Sequence, residues 1–93
     1  MAIAVEMTFK GATLDQYDQV IESMGLKPGG ASPPGAISHW AAKTDDGIRI
    51  VDVWESKEAY EQFAAEEIGP HMREAGITGA PERRIYDVHN FYR

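Results

Sequence analysis

The stretch Gly47–Phe63, GIRIVDVWESKEAYEQF, decides how the rest of the chain is read. Ile48 to Trp54 is dense in β-branched and aromatic residues and follows Asp45-Asp46-Gly47, so it reads as the second strand of a hairpin. Ser56 stops that strand. With Lys57 and Glu58 behind it and Ala59, Tyr60, Phe63 and Ala64 at helical spacing, it predicts a helix N-cap whose hydroxyl accepts from a first-turn amide. Apolar side chains lie on both faces of the strand, Ile48, Ile50 and Trp54 on one and Val51 and Val53 on the other, which implies a sheet covered on both sides. Asp52 shares a face with Trp54, so one covered side is not plain hydrocarbon.

Toward the N-terminus, Ala36 to Lys43 supplies the partner strand of the hairpin. The Asp-Gly preference for type I′ turns favours Asp46-Gly47 as a two-residue turn, which pairs Asp45 with Ile48 and sets His39 opposite Trp54 and Ala41 opposite Asp52. A three-residue turn would slip the register by one and put His39 against Val53. Leu26 to Gly35, LKPGGASPPG, holds three prolines and three glycines and is irregular, either a plain connection or a flap over a cavity mouth. Before it, Thr13 and Gln16 form a capping box, and Leu14, Tyr17, Val20, Ile21 and Met24 recur at spacings of three and four, a helix ending near Gly25. Ala2 to Phe9 alternates Ile3, Val5, Met7, Phe9 with Ala4, Glu6, Thr8, a strand with one apolar face.

Toward the C-terminus, the helix from Lys57 is expected to run to about Glu67 and break at Gly69-Pro70, with Pro70 opening a further short turn over His71 to Ala75. Gly76 to Pro81 is a loop. Glu82 to Tyr92 predicts a last strand with Ile85, Asp87, His89 and Phe91 on one face.

The bulk properties narrow the function. Ninety-three residues with 43% hydrophobic make one domain, and pairing with a second subunit would help so small a core. Nine Lys and Arg against fifteen Asp and Glu give a net charge of -6, which repels phosphate backbones and anionic membranes. No nucleic acid or membrane partner is expected. The absence of cysteine removes disulfides, thiolate metal sites and a cysteine nucleophile, and suits the cytoplasm. No apolar run approaches a membrane span.

The order β-α-β-β-α-β gives an α+β, ferredoxin-like plait: an antiparallel four-stranded sheet with two helices on one face. Trp54, Ile50, His39 and, on one choice of face, Phe91 are expected on the other face, and a second copy of the sheet is the simplest cover for them. This element order, the phrase Val51-Asp52-Val53-Trp54-Glu55-Ser56 with Ala59-Tyr60 and Phe63, and the late segment His89-Asn90-Phe91 resemble the dimeric α/β barrel superfamily, specifically the antibiotic biosynthesis monooxygenase-like proteins. The resemblance implies a homodimer closing two sheets into a barrel. It also implies activities that range from cofactor-independent oxygenation of polycyclic aromatics to isomerisation and haem degradation. The haem-degrading branch has an asparagine in its first strand and a tryptophan followed ten residues later by a histidine. The first strand here has no asparagine, and Phe63 and Arg73 stand at the other two positions, so haem degradation is disfavoured.

Among residues able to carry chemistry, His39 is the candidate base, with Asp52 diagonal to it across the hairpin to orient and stabilise the charged ring. The competing readings are a half-buried structural histidine and an Asp52 paired with Arg83 or Arg84. Trp54 could wall a flat ligand or simply be core, while Tyr17 and Tyr60 pack inward with hydroxyls that need partners. His71, at a helix start, would be kept neutral by the dipole, or else be exposed. His89 and Phe91 could join the same cavity if their face is the right one. The three histidines lack metal-ligand spacing, and no glycine-rich phosphate cradle follows a strand. The expectation is a hydrophobic, aromatic or polyketide-like small molecule processed without a bound cofactor; a binding or dimerisation module is the alternative.

Overall fold

β1 (Ile3–Lys10) is the strand on which the molecule is assembled, because its alternation separates one apolar face from one mixed face. In the computed structural model, which describes residues 1–92, Ile3, Val5, Met7 and Phe9 are buried under the helices while Ala4, Glu6 and Thr8 point the other way. β1 pairs antiparallel with β3 (Gly47–Trp54) on one side and β4 (Glu82–Asp87) on the other, and β2 (Ala36–Lys43) completes the order β2-β3-β1-β4. This is the α+β plait expected from the order of elements.

α1 (Leu14–Ser23) begins at the expected capping box. The Gln16 N–H donates to Thr13 Oγ1 at 3.1 Å and the Thr13 N–H to Gln16 Oε1 at 3.0 Å. Past its end Gly25 takes φ 76°, a left-handed cap. α2 (Lys57–Phe63) starts where Ser56 Oγ accepts from the Ala59 N–H at 3.1 Å.

Four sequence expectations need correction. The second helical rod does not break at Gly69-Pro70: it passes from α2 through a π-helical segment, Ala64–Ile68, into α3 (Gly69–Glu74), with helical dihedrals throughout. Proline clashes with the carbonyl four residues back in an ordinary helix. Here the wider turn before it, in which the Gly69 N–H bonds to the Ala64 carbonyl five residues back, accommodates the ring without a break.

The hairpin turn is Asp45-Asp46, not Asp46-Gly47. The Thr44 N–H donates to the Gly47 carbonyl at 2.9 Å, and His39 pairs with Asp52 and Ala41 with Ile50. Gly47 is used differently: a Cβ there would lie 1.9 Å from the Phe9 carbonyl oxygen, so the glycine lets β1 approach β3. The Asp46 carbonyl also accepts from the Gly11 N–H at 2.7 Å, tying the turn to the end of β1. The register moves by two residues, so His39 keeps the face of Asp52 and Trp54.

β4 stops at Asp87 rather than Tyr92. After the Val88 N–H reaches the Ala2 carbonyl at 3.0 Å, His89 and Phe91 lie beyond the sheet.

The fourth correction concerns which face is covered. Trp54, Ile50 and Asp52 sit under the chain's own helices, with Trp54 only 2% exposed, so no twin subunit is needed to hide them. The open face carries Trp40, Val51, Val53, Ala4 and Tyr86 together with Glu6, Thr8, Arg49 and Arg84.

Candidate functional site

Between α1, the loop 26–35 and the helix-side face of β2 and β3 lies a half-open cavity of about 840 Å³, walled mainly by apolar side chains. The π-helical segment shapes one wall. Phe63 and Ile68, five residues apart, would point about 140° from each other on a regular α-helix, yet both line the cavity together with Met72. The wide turn rotates them onto one side. Phe63 in turn packs on Trp54, ring centroids 5.3 Å apart, so Trp54 is held from behind.

The cavity floor is polar at one point. Asp52, 5% exposed, accepts from the His39 Nδ1–H at 2.5 Å through one carboxylate oxygen and from the Trp54 Nε1–H at 3.3 Å through the other. A buried carboxylate is costly unless its lone pairs are met by donors, and both oxygens are met. With Nδ1 donating, the neutral imidazole has its lone pair on Nε2. The Tyr17 hydroxyl donates to that nitrogen at 2.5 Å, the two rings nearly parallel at 8°. Burial pushes the Tyr17 phenol up to about 12, and the negative charges of Asp52 and Asp18 add to the shift. Asp52 does not pair with Arg83 or Arg84: Arg83 Nη1 donates to the Tyr60 hydroxyl at 3.3 Å, and Arg84 lies opposite Glu6 on the open face.

Of the residues singled out in the sequence, His39, Asp52, Trp54 and Tyr17 converge on this cavity. Tyr60 stands behind Trp54, edge to face at 5.9 Å, its hydroxyl donating to Met7 Sδ at 3.9 Å, and is off the cavity wall. His71 is not at a helix start, since the rod runs through; its Nε2 lies 3.4 Å from Glu67 Oε2 and it too is off the wall, as are His89 and Phe91. Phe63, Met72 and the direct Tyr17–His39 contact were not anticipated. Helical spacing alone marked Tyr17 as packed inward without saying which strand its tip would reach.

Among the described residues no cluster of three or more His, Asp or Glu is placed to hold a metal, and no helix is long and apolar enough to cross a membrane.

No family model and no curated protein matches the sequence. Solved structures do match. A Chloroflexus aurantiacus protein assigned to the antibiotic biosynthesis monooxygenases superimposes with TM-score 0.65 at 22% identity, covering 100% of this chain and 98% of its own. The ActVA-Orf6 monooxygenase of Streptomyces coelicolor, crystallised with nanaomycin D, gives 0.57 at 23% identity over 99% and 90%. SnoaB, a cofactor-independent oxygenase from Streptomyces nogalater, gives 0.61 at 14% identity over 97% and 94%. The chain therefore shares its fold with these proteins, one assigned to the antibiotic biosynthesis monooxygenases and one a cofactor-independent oxygenase.

Proposed function

We propose that the cavity binds a planar, largely apolar small molecule and that the chain is a cofactor-independent monooxygenase in which His39, oriented and charge-balanced by Asp52, is the proton acceptor. The observation that carries this reading is the buried Asp52 carboxylate aimed at the imidazole on the floor of an apolar cavity. A base needs an imidazole held in one tautomer with a counter-charge for its protonated form, and this pair supplies both. Apolar walls favour a polycyclic aromatic such as an anthrone and exclude water from its anion. That electron-rich anion would react with O2. A ring CH2 exchanges two hydrogens for one oxygen atom, the second oxygen leaving as water. The oxygenases of the same fold described above lend support without identifying the substrate.

The uncovered sheet face supports a homodimer as the assembled form, and the charge and composition suit a cytoplasmic enzyme. The test is oxygen uptake with a panel of anthrones and hydroquinones. Wild type should consume O2 with at least one of them, and His39→Ala should slow it by about a hundredfold or more, the usual scale for losing a general base. Equal rates for the two proteins would remove His39 from the mechanism.

A further inference from the structure

Every hydrogen-bonding position on the His39 ring is already taken. Nδ1 faces Asp52 and Nε2 faces Tyr17, each at 2.5 Å, so a molecule entering the cavity finds no free lone pair on the imidazole. The Tyr17 oxygen donates its one proton to His39 but keeps acceptor capacity, and Tyr17 lines the cavity. Resting on the deprotonating role given to this cavity above, we propose that Tyr17 is the residue that meets the substrate, and that the working base is a relay of Tyr17, His39 and Asp52 rather than His39 alone.

The step balances without any further reactant. The substrate's acidic O–H or C–H bond breaks and its proton joins the Tyr17 oxygen, while the original Tyr17 O–H bond breaks and an Nε2–H bond forms on His39. The substrate is left as an anion, Tyr17 is neutral again, and the imidazolium is balanced by Asp52. Tyr17 then donates its new proton back to the substrate anion as a hydrogen bond, stabilising it. Burial, Asp52 and Asp18 all disfavour a standing tyrosinate as the base. A relay needs none, since the phenol passes one proton while receiving another. Glu22 and Lys27 are the remaining charged residues of the cavity wall. α1 holds the phenol in place: the Tyr17 N–H bonds to the Thr13 carbonyl at 3.0 Å within the capped first turn.

Tyr17→Phe separates this from direct catalysis by His39, because it removes one hydroxyl while leaving the imidazole and its carboxylate. If His39 acted directly, the variant would uncover Nε2 and turnover would hold or rise. The relay instead demands that Tyr17→Phe lose about a hundredfold or more in anthrone turnover, and that Tyr17→Phe combined with His39→Gln be no slower than His39→Gln alone. A second readout needs no turnover. Alizarin, a planar phenol whose anion absorbs at longer wavelength, should bind wild type as the anion, and its apparent pKa when bound should rise by about one unit or more in Tyr17→Phe, a tenfold loss of anion stabilisation. Thermal melts confirm that each variant is folded. Wild-type protein that binds and ionises alizarin no better than Tyr17→Phe overturns the relay and leaves the cavity's function standing. Wild type that binds neither probe overturns both.

Discussion

Asp52 shows what a single residue can and cannot reveal in a sequence. Strand alternation alone placed this carboxylate beside Trp54 and on the face of His39, and a two-residue error in the turn left that unchanged because side chains repeat every second position. The same period could not say that His39 stands directly opposite Asp52, nor that the indole N–H occupies its second oxygen. Tyr17 was less legible still, since the angle at which α1 crosses the sheet decides where its hydroxyl ends. Its environment makes a measurable demand on stability. The phenol sits at about 12 in the folded protein against 10.0 as an unperturbed side chain. Between those values the unfolded chain has released the proton and the folded chain still holds it, so the unfolded state binds fewer protons and stability falls as pH rises. The contribution is intact below pH 10 and is lost on the way to 12. Tyr17 is only half-buried, so solvent screening moderates the size of the effect but not its sign. Denaturant midpoints measured below and above pH 10 should fall more steeply for wild type than for Tyr17→Phe, and parallel curves would contradict the assigned environment.

Among the elements, the β2–β3 hairpin is where local propensity lost to tertiary packing. Asp-Gly is a strong turn signal because glycine takes positive φ cheaply, and on that rule Gly47 belongs in the turn. Among the described residues no non-glycine has positive φ and Gly47 is not among the glycines that do, so the turn is not of the left-handed type. The glycine is demanded by β1, whose Phe9 carbonyl occupies the space of a side chain. The two accounts separate on substitution. Asparagine tolerates left-handed turn positions, so Gly47→Asn would be mild if the turn needed the glycine. Against the Phe9 carbonyl its Cβ is as obstructive as alanine's. Both Gly47→Asn and Gly47→Ala should therefore cost about 2 kcal/mol or more in denaturant unfolding, the range of overpacked sites. A mild asparagine variant beside a damaging alanine one would restore the turn explanation. The π-helical segment was illegible for a related reason: Gly69-Pro70 signals a break locally, and only the wider turn preceding it shows how the rod absorbs a proline.

For the molecule as a whole, the missed signal was which side of the sheet the helices cover. β1 held the answer: its strictly apolar face must be the core, and through its pairing Ile3 meets Trp54 and Val5 meets Asp52, so the strand richest in ambiguous residues inherits the same inside. The need for a partner then moves to the opposite face. There Trp40 is 51% exposed and Tyr86 50%, with Val51 and Val53 half-buried between them. Glu6 faces Arg84 across the β1–β4 pairing, and Arg49 lies opposite Thr8, a polar band beside the apolar patch. A two-fold axis through such a face sets the same patch against itself, residue i on j and j on i, so apolar side chains bury one another and charges of both signs find opposites. We propose that two copies close over this face. The chain should then sediment as a dimer at micromolar concentration, and Tyr86→Glu should yield a folded monomer, because Tyr86 is 50% exposed on the open face and contributes nothing to the core beneath the helices. Tyr86 does not line the cavity, so that monomer should still bind alizarin if the site is complete within one chain. Wild type that sediments as a monomer at every concentration would leave the patch without a partner of its own kind. A monomeric variant that loses the ligand would mean that the second copy completes the site.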